Sequence, residues 1–281
     1  MTDLSGRICL VTGATRGIGR ATAEALAKMG AHVLIHGRDS ASVGAVCREM
    51  VRYGQVDGVV GDLSSLAAVR KLAKEIAAQH PRLDVLVNNA GSGSLRRETT
   101  ADGFERLFAV NHLAPFLLTN LLLERLEASD AARVVTVSSA AHRRGVLDFD
   151  DLSWEKRKYS GLGAYGASKL ANILFTTELA RRLGGSRVTA NCLHPGVVAT
   201  NIFSSMGFAG RVFTVLFRPF MLSPAKGALT SIYLASSPEV ANVTGKYFDK
   251  CREAPTTPAA QDAAAARRLW EISERLTGLA G

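Results

Sequence analysis

The sequence predicts an α/β fold: one doubly wound domain with a central parallel sheet and helices on both faces. Three observations predict it. Short apolar runs alternate with segments of helical period through the first two thirds of the 281 residues. Each run is almost continuously apolar, as a strand buried on both faces requires. A glycine-rich turn joins the first run to the first helical segment, and no internal repeat, Ser/Gly linker or shift in composition divides the chain.

Arg7–Thr12 is the first strand, an apolar run that ends at Gly13. Gly17–Met29 is helical, because Ile18, Ala21, Ala25, Leu26 and Met29 recur at helical spacing, and Gly30 stops it. Ala31–His36 is the second strand, Ser40–Tyr53 the second helix and Val56–Val60 the third strand. In Ser64–Gln79, Leu66, Val69, Leu72 and Ile76 line one face of a third helix. Leu83–Val87 is a fourth strand, a long helix lies within Ala101–Glu127, and Arg133–Ser138 is a fifth strand. Ala164–Leu183 is helical and Arg187–Leu193 is a sixth strand. The pattern then loosens, since Gly196–Leu222 is rich in Phe, Val and Leu without alternation. Ala225–Ala235 is a further helix, Lys246–Phe248 a last strand, and the Ala- and Arg-rich Ala259–Leu279 a C-terminal helix.

Composition excludes several functions. With 47% hydrophobic and 21% charged residues the chain is globular, not disordered. No apolar run approaches the ~18 residues of a membrane helix. Met1–Gly6 is too short and polar for a signal peptide. The cysteines at 9, 47, 192 and 251 form no C-x-x-C pair, so a reducing, cytoplasmic setting is expected. The net charge of +9 suits an anionic ligand, but no arginine-rich run with interleaved aromatics points to nucleic acid. His32 and His36 lie four apart on a strand with no third ligand at metal spacing, so no metal is expected. His142 and His194 flank the expected pocket and also fit turn and packing roles.

Thr12-Gly13-Ala14-Thr15-Arg16-Gly17-Ile18-Gly19 lies between the first strand and the first helix. A tight glycine turn lets the backbone approach a diphosphate, and the helix N–H groups and dipole hold the anion. The spacing is G-x-x-x-G-x-G, and in this context Gly13, Thr15, Arg16, Gly17, Ile18 and Gly19 are candidate dinucleotide-binding residues. NAD sites place a carboxylate near the end of the second strand to accept from the ribose 2′-hydroxyl. His36-Gly37-Arg38 offers a glycine and a cation instead, and Arg16 adds another. Two cations suit a 2′-phosphate, so NADP(H) is the expected cofactor, although Asp39 follows Arg38.

Tyr165 and Lys169 are four apart on a predicted helix, hence on one face. Moving a tyrosine from pKa ~10 toward ~7 takes roughly 4 kcal/mol. One ammonium at ~4 Å supplies about that at an effective dielectric of ~20. Lys169 is therefore expected to supply most of the shift, with a nicotinamide cation adding to it. Ser138-Ser139 ends the fifth strand and Asn88-Asn89-Ala90-Gly91 follows the fourth, where open α/β sheets place their sites. Adjacent strand residues face opposite ways, so only one of the two serines can face the site.

Together these residues resemble the short-chain dehydrogenase/reductase family over nearly the whole chain. The resemblance rests on Thr12–Gly19, Asp62-Leu63, Asn88–Gly91, Asn111, Ser139, Tyr165 with Lys169, and Pro195-Gly196 with Thr200 beyond. Val110–Leu113, Val137–His142, Ser168–Asn172 and His194–Val198 look like its retinol dehydrogenase branch, whose vertebrate membrane enzymes carry an N-terminal anchor; none is expected here. The resemblance implies a Rossmann-type domain and a proton relay in which Tyr165 exchanges the proton and Ser139 stabilises the substrate oxygen. It gives Lys169 the nicotinamide ribose and Asn111 a water chain. It places Asp62 and Leu63 at the adenine, Asn89, Ala90 and Gly91 along the cofactor's middle, Pro195 and Gly196 beside it, and Val198 and Thr200 at the carboxamide. Of the two serines, Ser139 matches the family position.

Ser139 and Tyr165 are 26 residues apart, roughly double the gap in the family's compact members. The extra Asp148–Ser160 holds Phe149 and Trp154, read as a loop over the pocket. Ile202–Leu222, with Phe203, Met206, Phe208, Phe213, Phe217 and Phe220 beside Arg211 and Arg218, is read as a lid over a lipophilic substrate. Residues 1–193 are then the core, 194–235 the substrate loop and 236–281 the last strand and helix. The expected function is an NADP(H)-dependent oxidoreductase interconverting a carbonyl and an alcohol on an apolar small molecule. The expected assembly is a homodimer or homotetramer built on the helices carrying Asn111 and Tyr165, with no transmembrane segment and peripheral membrane contact left open. The alternative is a non-catalytic NADP-binding sensor or scaffold, which a broken Ser–Tyr–Lys set would favour.

Overall fold

The computed structural model describes residues 2–196, 198 and 222–279. Its eight strands form one sheet: β1 (Ile8–Val11), β2 (His32–Gly37), β3 (Val56–Val60), β4 (Val85–Asn88), β5 (Ala132–Val137), β6 (Val188–His194), β7 (Tyr247–Asp249) and β8 (Arg252–Glu253). The order is β3-β2-β1-β4-β5-β6-β7-β8, parallel except for the β7–β8 pair. The chain winds outward from β1 to β3, returns to β4 beside β1, and winds out the other way. The reversal leaves a crevice beyond the C-terminal ends of β1 and β4, where doubly wound sheets take their ligands.

Helices cover both faces: α1 (Gly17–Lys28), α2 (Ser40–Met50), α3 (Leu66–Gln79), the short α4 (Arg106–Phe108), α5 (Ala114–Leu121), α6 (Leu123–Glu127) and α7 (Gly161–Arg182). C-terminal to β6 come α8 (Pro224–Ser236), α9 (Pro258–Gln261) and α10 (Ala263–Thr277). One core cluster packs Leu10, Leu34 and Leu86 with Val69, Leu72 and Ile76 of α3, and the other packs Val11, Val33 and Ile35 with Leu26 and Ala27 of α1. These are the apolar positions that the helical spacing marks out.

Three local differences from the expected elements have physical causes. The long helix within Ala101–Glu127 is interrupted: α4 passes into a π turn, Ala109–Leu113, before α5. Pro115 has no N–H for the Asn111 carbonyl four residues earlier, so the ordinary ladder fails there. The sheet gains an antiparallel edge, β8, because Lys250 and Cys251 turn the chain at φ 50° and 61°. Ser139 opens a 3₁₀ turn, Ala140–Arg144.

The C-terminal helix α10 packs on α7 and α5. Trp270 stacks on Phe175, with centroids 5.9 Å apart, and meets Phe116 edge-on at 4.9 Å. No helix among the described residues is long and apolar enough to cross a membrane.

Candidate functional site

The glycine turn is shaped for an anion. Gly13 adopts φ 63°, and a Cβ at Gly19 would sit 2.5 Å from the Gly13 carbonyl oxygen. Arg16 occupies the N-cap of α1 without a side-chain capping bond, and the first turn carries no acid. The leading N–H groups of α1 are thus left for a ligand. Ile18 and Val198 both press on Gly227 of α8, which draws the start of α8 to the turn.

Thr12 ties the turn to β4. Its hydroxyl accepts from the Asn89 and Ala90 N–H groups at 2.9 and 3.0 Å and donates to the Val87 carbonyl at 3.2 Å. The Asn89 amide donates to the Thr12 carbonyl at 2.7 Å. The two strand ends that flank the crevice are therefore locked together.

His36 does similar work from β2. The Gly13 N–H donates to its Nδ1 at 3.1 Å, so the proton sits on Nε2, which donates to the Gly61 carbonyl at 3.0 Å. The side chain is 1% exposed, and burial pushes its pKa down to about 4 against the pull of Gly61 and Asp62. Sequence spacing raised His36 only as half of a metal pair. His32 instead pairs with Asp57 at 2.7 Å and meets the His80 ring edge-on, and no metal-binding cluster occurs among the described residues.

A neutral His36 makes the fold acid-sensitive. Its folded pKa lies below the unfolded ~6.5, so its contribution is complete above that value, is lost as pH falls, and levels off below about 4. Between pH 7.5 and 4.5 the loss is roughly 2–3 kcal/mol by linkage. His36→Gln, which does not titrate, is expected to lose that much less stability than the wild type across the same interval in chemical denaturation. Parallel losses would show that His36 is not held neutral.

The end of β2 is cationic. Arg38 and Arg16 are exposed, and neither has an ion pair among the described residues. The Asp39 carboxylate caps α2 by accepting from the Ser42 N–H at 2.8 Å, which holds its pKa below the usual range. A side chain at Gly37 would meet Thr15 at 2.6 Å and Val43 at 2.8 Å, so no acid fits there. Asp62 accepts from the Ser64 N–H at 2.9 Å, while Leu63 packs into the core.

Across the crevice, Tyr165 and Lys169 lie on one face of α7. The Ser138 hydroxyl donates to the Lys169 carbonyl at 2.7 Å, so Ser138 serves the helix. The Ser139 hydroxyl accepts from the Ala141 N–H at 3.2 Å and hydrogen-bonds the half-buried Tyr165. Lys169 is 2% exposed; its Nζ donates to the Val137 carbonyl at 2.9 Å and lies 5.6 Å from the Tyr165 ring centroid. Burial pushes the lysine down to about 8. Burial also raises the Tyr165 phenol, and Ser139 opposes it only in part. Among the protein groups, burial outweighs the Ser139 hydrogen bond at the phenol.

Asn111 closes the group. Its amide donates to the Ser92 carbonyl at 3.1 Å and to Ser168 Oγ at 3.0 Å, and its Oδ1 accepts from the Ser92 N–H at 2.7 Å. A Cβ on Gly91 would lie 3.6 Å from both Asn111 Oδ1 and Lys169 Nζ, which brings all three to one place. The Asn111 side chain is thus occupied, and Pro115 offers its backbone carbonyl no N–H four residues on.

The fit to known proteins matches this geometry. The family model for short chain dehydrogenases matches residues 7–207. Human retinol dehydrogenase 14 is 46% identical over 295 residues, spanning 98% of this chain and 88% of the relative. The chain belongs to the short chain dehydrogenase family. Within it the chain is retinol dehydrogenase-like, an oxidoreductase of a family whose relatives act on alcohols. The crystal structure of an uncharacterized protein from Mycobacterium paratuberculosis superposes with a TM-score of 0.82 at 37% identity, covering 99% of this chain and 96% of that one. A short chain dehydrogenase from Shigella flexneri complexed with NADP superposes with a TM-score of 0.71 at 28% identity, covering 90% and 100%.

The remaining expected positions divide. Pro195 and Gly196 follow β6, Gly196 at φ 83°, and Val198 pairs with Leu222 in an isolated bridge. Phe149 lies under the Arg268 guanidinium, 4.7 Å from its ring centroid. Trp154 is sandwiched by Arg157 at 3.8 Å and meets Tyr159 edge-on at 5.6 Å. Tyr159 in turn donates to the buried Glu105 at 2.9 Å. The inserted segment is therefore knitted to its own chain, and the contacts of Phe149 and Trp154 are with these groups. Thr200, Phe203, Met206, Phe208 and Phe213 lie outside the described residues.

Proposed function

We propose that the chain is an NADP(H)-dependent oxidoreductase that interconverts a carbonyl and an alcohol on an apolar small molecule. The convergence of Ser139, Tyr165, Lys169 and Asn111 beside the glycine turn carries this reading. The cations at Arg16 and Arg38, with Asp39 committed to its cap, support NADP(H) over NAD(H). The apolar composition of 202–222 supports a lipophilic substrate, as do the retinol dehydrogenases among the relatives.

A bound nicotinamide supplies or accepts the hydride. The chain supplies the rest. Gly13, Gly17 and Gly19 admit the diphosphate to the α1 N-terminus. The Ser139 hydroxyl donates to the substrate oxygen and holds it against Tyr165. The protonated Tyr165 donates its proton to that oxygen in reduction and recovers one through Lys169 and water at the Asn111 carbonyl.

The test is a panel of carbonyls and alcohols run with NADPH and NADH in parallel. Consumption of NADPH over NADH, rising with substrate hydrophobicity, is expected; no turnover with any member would leave the sensor reading. Arg16→Ala with Arg38→Ala is expected to weaken NADPH about tenfold per arginine, at ~1.4 kcal/mol each, and to leave NADH nearly unchanged by fluorescence titration. Equal losses for both cofactors would remove the 2′-phosphate assignment.

A further inference from the structure

The peptide group that follows Ser139 is held at both ends by imidazoles. Its carbonyl oxygen, on Ser139, lies 2.7 Å from His142 Nδ1 and also accepts from the His142 N–H at 3.1 Å. Its N–H, on Ala140, donates to His194 Nδ1 at 3.2 Å. The partners fix the protons. Facing a carbonyl, His142 must carry its proton on Nδ1; accepting from an N–H, His194 must carry its proton on Nε2. The two rings therefore hold opposite tautomers, and both must be neutral or correctly protonated for the grip to close.

We infer that His142 and His194 are positioning residues for the reaction: together they fix the Ser139–Ala140 peptide plane and so aim the Ser139 hydroxyl at Tyr165 and the substrate oxygen. The inference rests on the proposed carbonyl chemistry for its kinetic arm only. His142 comes from the 3₁₀ turn after β5 and His194 from the end of β6, so the brace spans neighbouring strands and would transmit any shift of either one. The His142 ring is 1% exposed and packs edge-on against Tyr247 of β7 at 5.1 Å. Nothing in its packing requires an imidazole there, since Nε2 has no partner among the described residues. The Nδ1 contact to Ser139 is what the imidazole supplies.

The brace is expected to open in acid. A proton on His194 Nδ1 places a donor against the Ala140 donor. The groups facing the pair are Asp249, Arg143 and Lys250 for His194, Arg143 and Tyr247 for His142, and each ring for the other. Burial comes first and the cations second in holding both rings below the ordinary 6.5, with Asp249 opposing at His194.

Asparagine separates the brace from mere packing. In His142→Asn, Nδ2 can donate where Nδ1–H did; in His194→Asn, Oδ1 can accept, and neither titrates. His142→Leu and His194→Leu fill the space without the bond. The leucine variants are expected to lose about 10- to 100-fold in kcat, with NADPH affinity by fluorescence unchanged. The asparagine variants are expected to recover most of that loss, and His194→Asn to remove the acid limb of the kcat profile below pH 6.5. Folded leucine variants with wild-type kcat would overturn the inference, as would equal impairment of leucine and asparagine at either position. Imidazole nitrogen NMR of the wild type decides the case if variants do not fold: one Nδ1–H and one Nε2–H ring are expected at neutral pH, and two rings of the same tautomer would overturn it. That readout needs no turnover, so a wild type inactive on every carbonyl would remove the proposed reaction and leave the brace standing on its own measurement.

Discussion

Tyr165→Phe is expected to reduce turnover by about 10³-fold or more while leaving cofactor binding within a few-fold of the wild type. The substitution removes one oxygen from a side chain whose ring stays packed on α7. Lys169 loses little, because its Nζ bonds the Val137 carbonyl and lies over the ring, not at the hydroxyl. Ser139 keeps the Ala141 N–H as a partner for its oxygen. The substitution removes one hydrogen bond, to Ser139, so the variant should stay within about 1 kcal/mol of the wild-type stability. Kinetics with the best substrate of the panel, with nucleotide binding measured separately, is the check. A variant that keeps even a tenth of the wild-type kcat would transfer the proton donor to another group.

The fold was legible wherever its signals were local. Val56–Val60 is a strand with the bounds its apolar run implies, and α3 ends at Gln79 as its periodicity does. What was missed depends on single residues acting against the pattern. Pro115 breaks a helix whose hydrophobic spacing continues straight through it. The β7–β8 turn uses Lys250 and Cys251 in the left-handed region, where glycine or asparagine would have announced it. The apolar period over 259–279 is helical, but Pro258 and Asp262 start two helices where one was expected.

The site divides the same way. Most motif residues come together because they follow strand ends, which converge at the reversal of the sheet, while the π turn carries Asn111 and α7 carries Tyr165 and Lys169. Roles set by a single hydrogen bond across the structure left no trace in spacing. Asp39 weakened the case for NADP(H) until its carboxylate proved to cap α2. His36 was read only beside His32, and His142 and His194 as flanking the pocket or fitting turn and packing roles; their hydrogen bonds with Gly13, Ser139 and Ala140 are not visible in spacing. Asn111 was expected to anchor a water chain, and spacing does not show that its side chain is engaged with Ser92 and Ser168.

Lys169→Met is expected to disable the enzyme and stabilise the fold. The ammonium is buried, and its pKa of about 8 lies below the ordinary 10.5. A lysine lowered in this way costs the folded state most below its folded pKa, and the cost fades as pH rises through about 8 toward 10.5. At pH 7 the cost is about 3 kcal/mol, and by pH 9.5 it is about 1.5 kcal/mol. Methionine keeps much of the stem and removes the charge. The Val137 carbonyl is not orphaned, since the Asn172 amide still donates to it at 3.3 Å. Denaturation should therefore show the variant more stable by about 2–3 kcal/mol at pH 7, with the gain roughly halved at pH 9.5. Turnover should fall by about 10²-fold or more, because Tyr165 loses its route to a replacement proton. A variant less stable at pH 7 would mean that the ammonium is bound more tightly than its burial implies. A gain that does not shrink with pH would assign the effect to packing. The expected pairing, stability gained where activity is lost, is what separates a lysine kept for chemistry from one kept for structure.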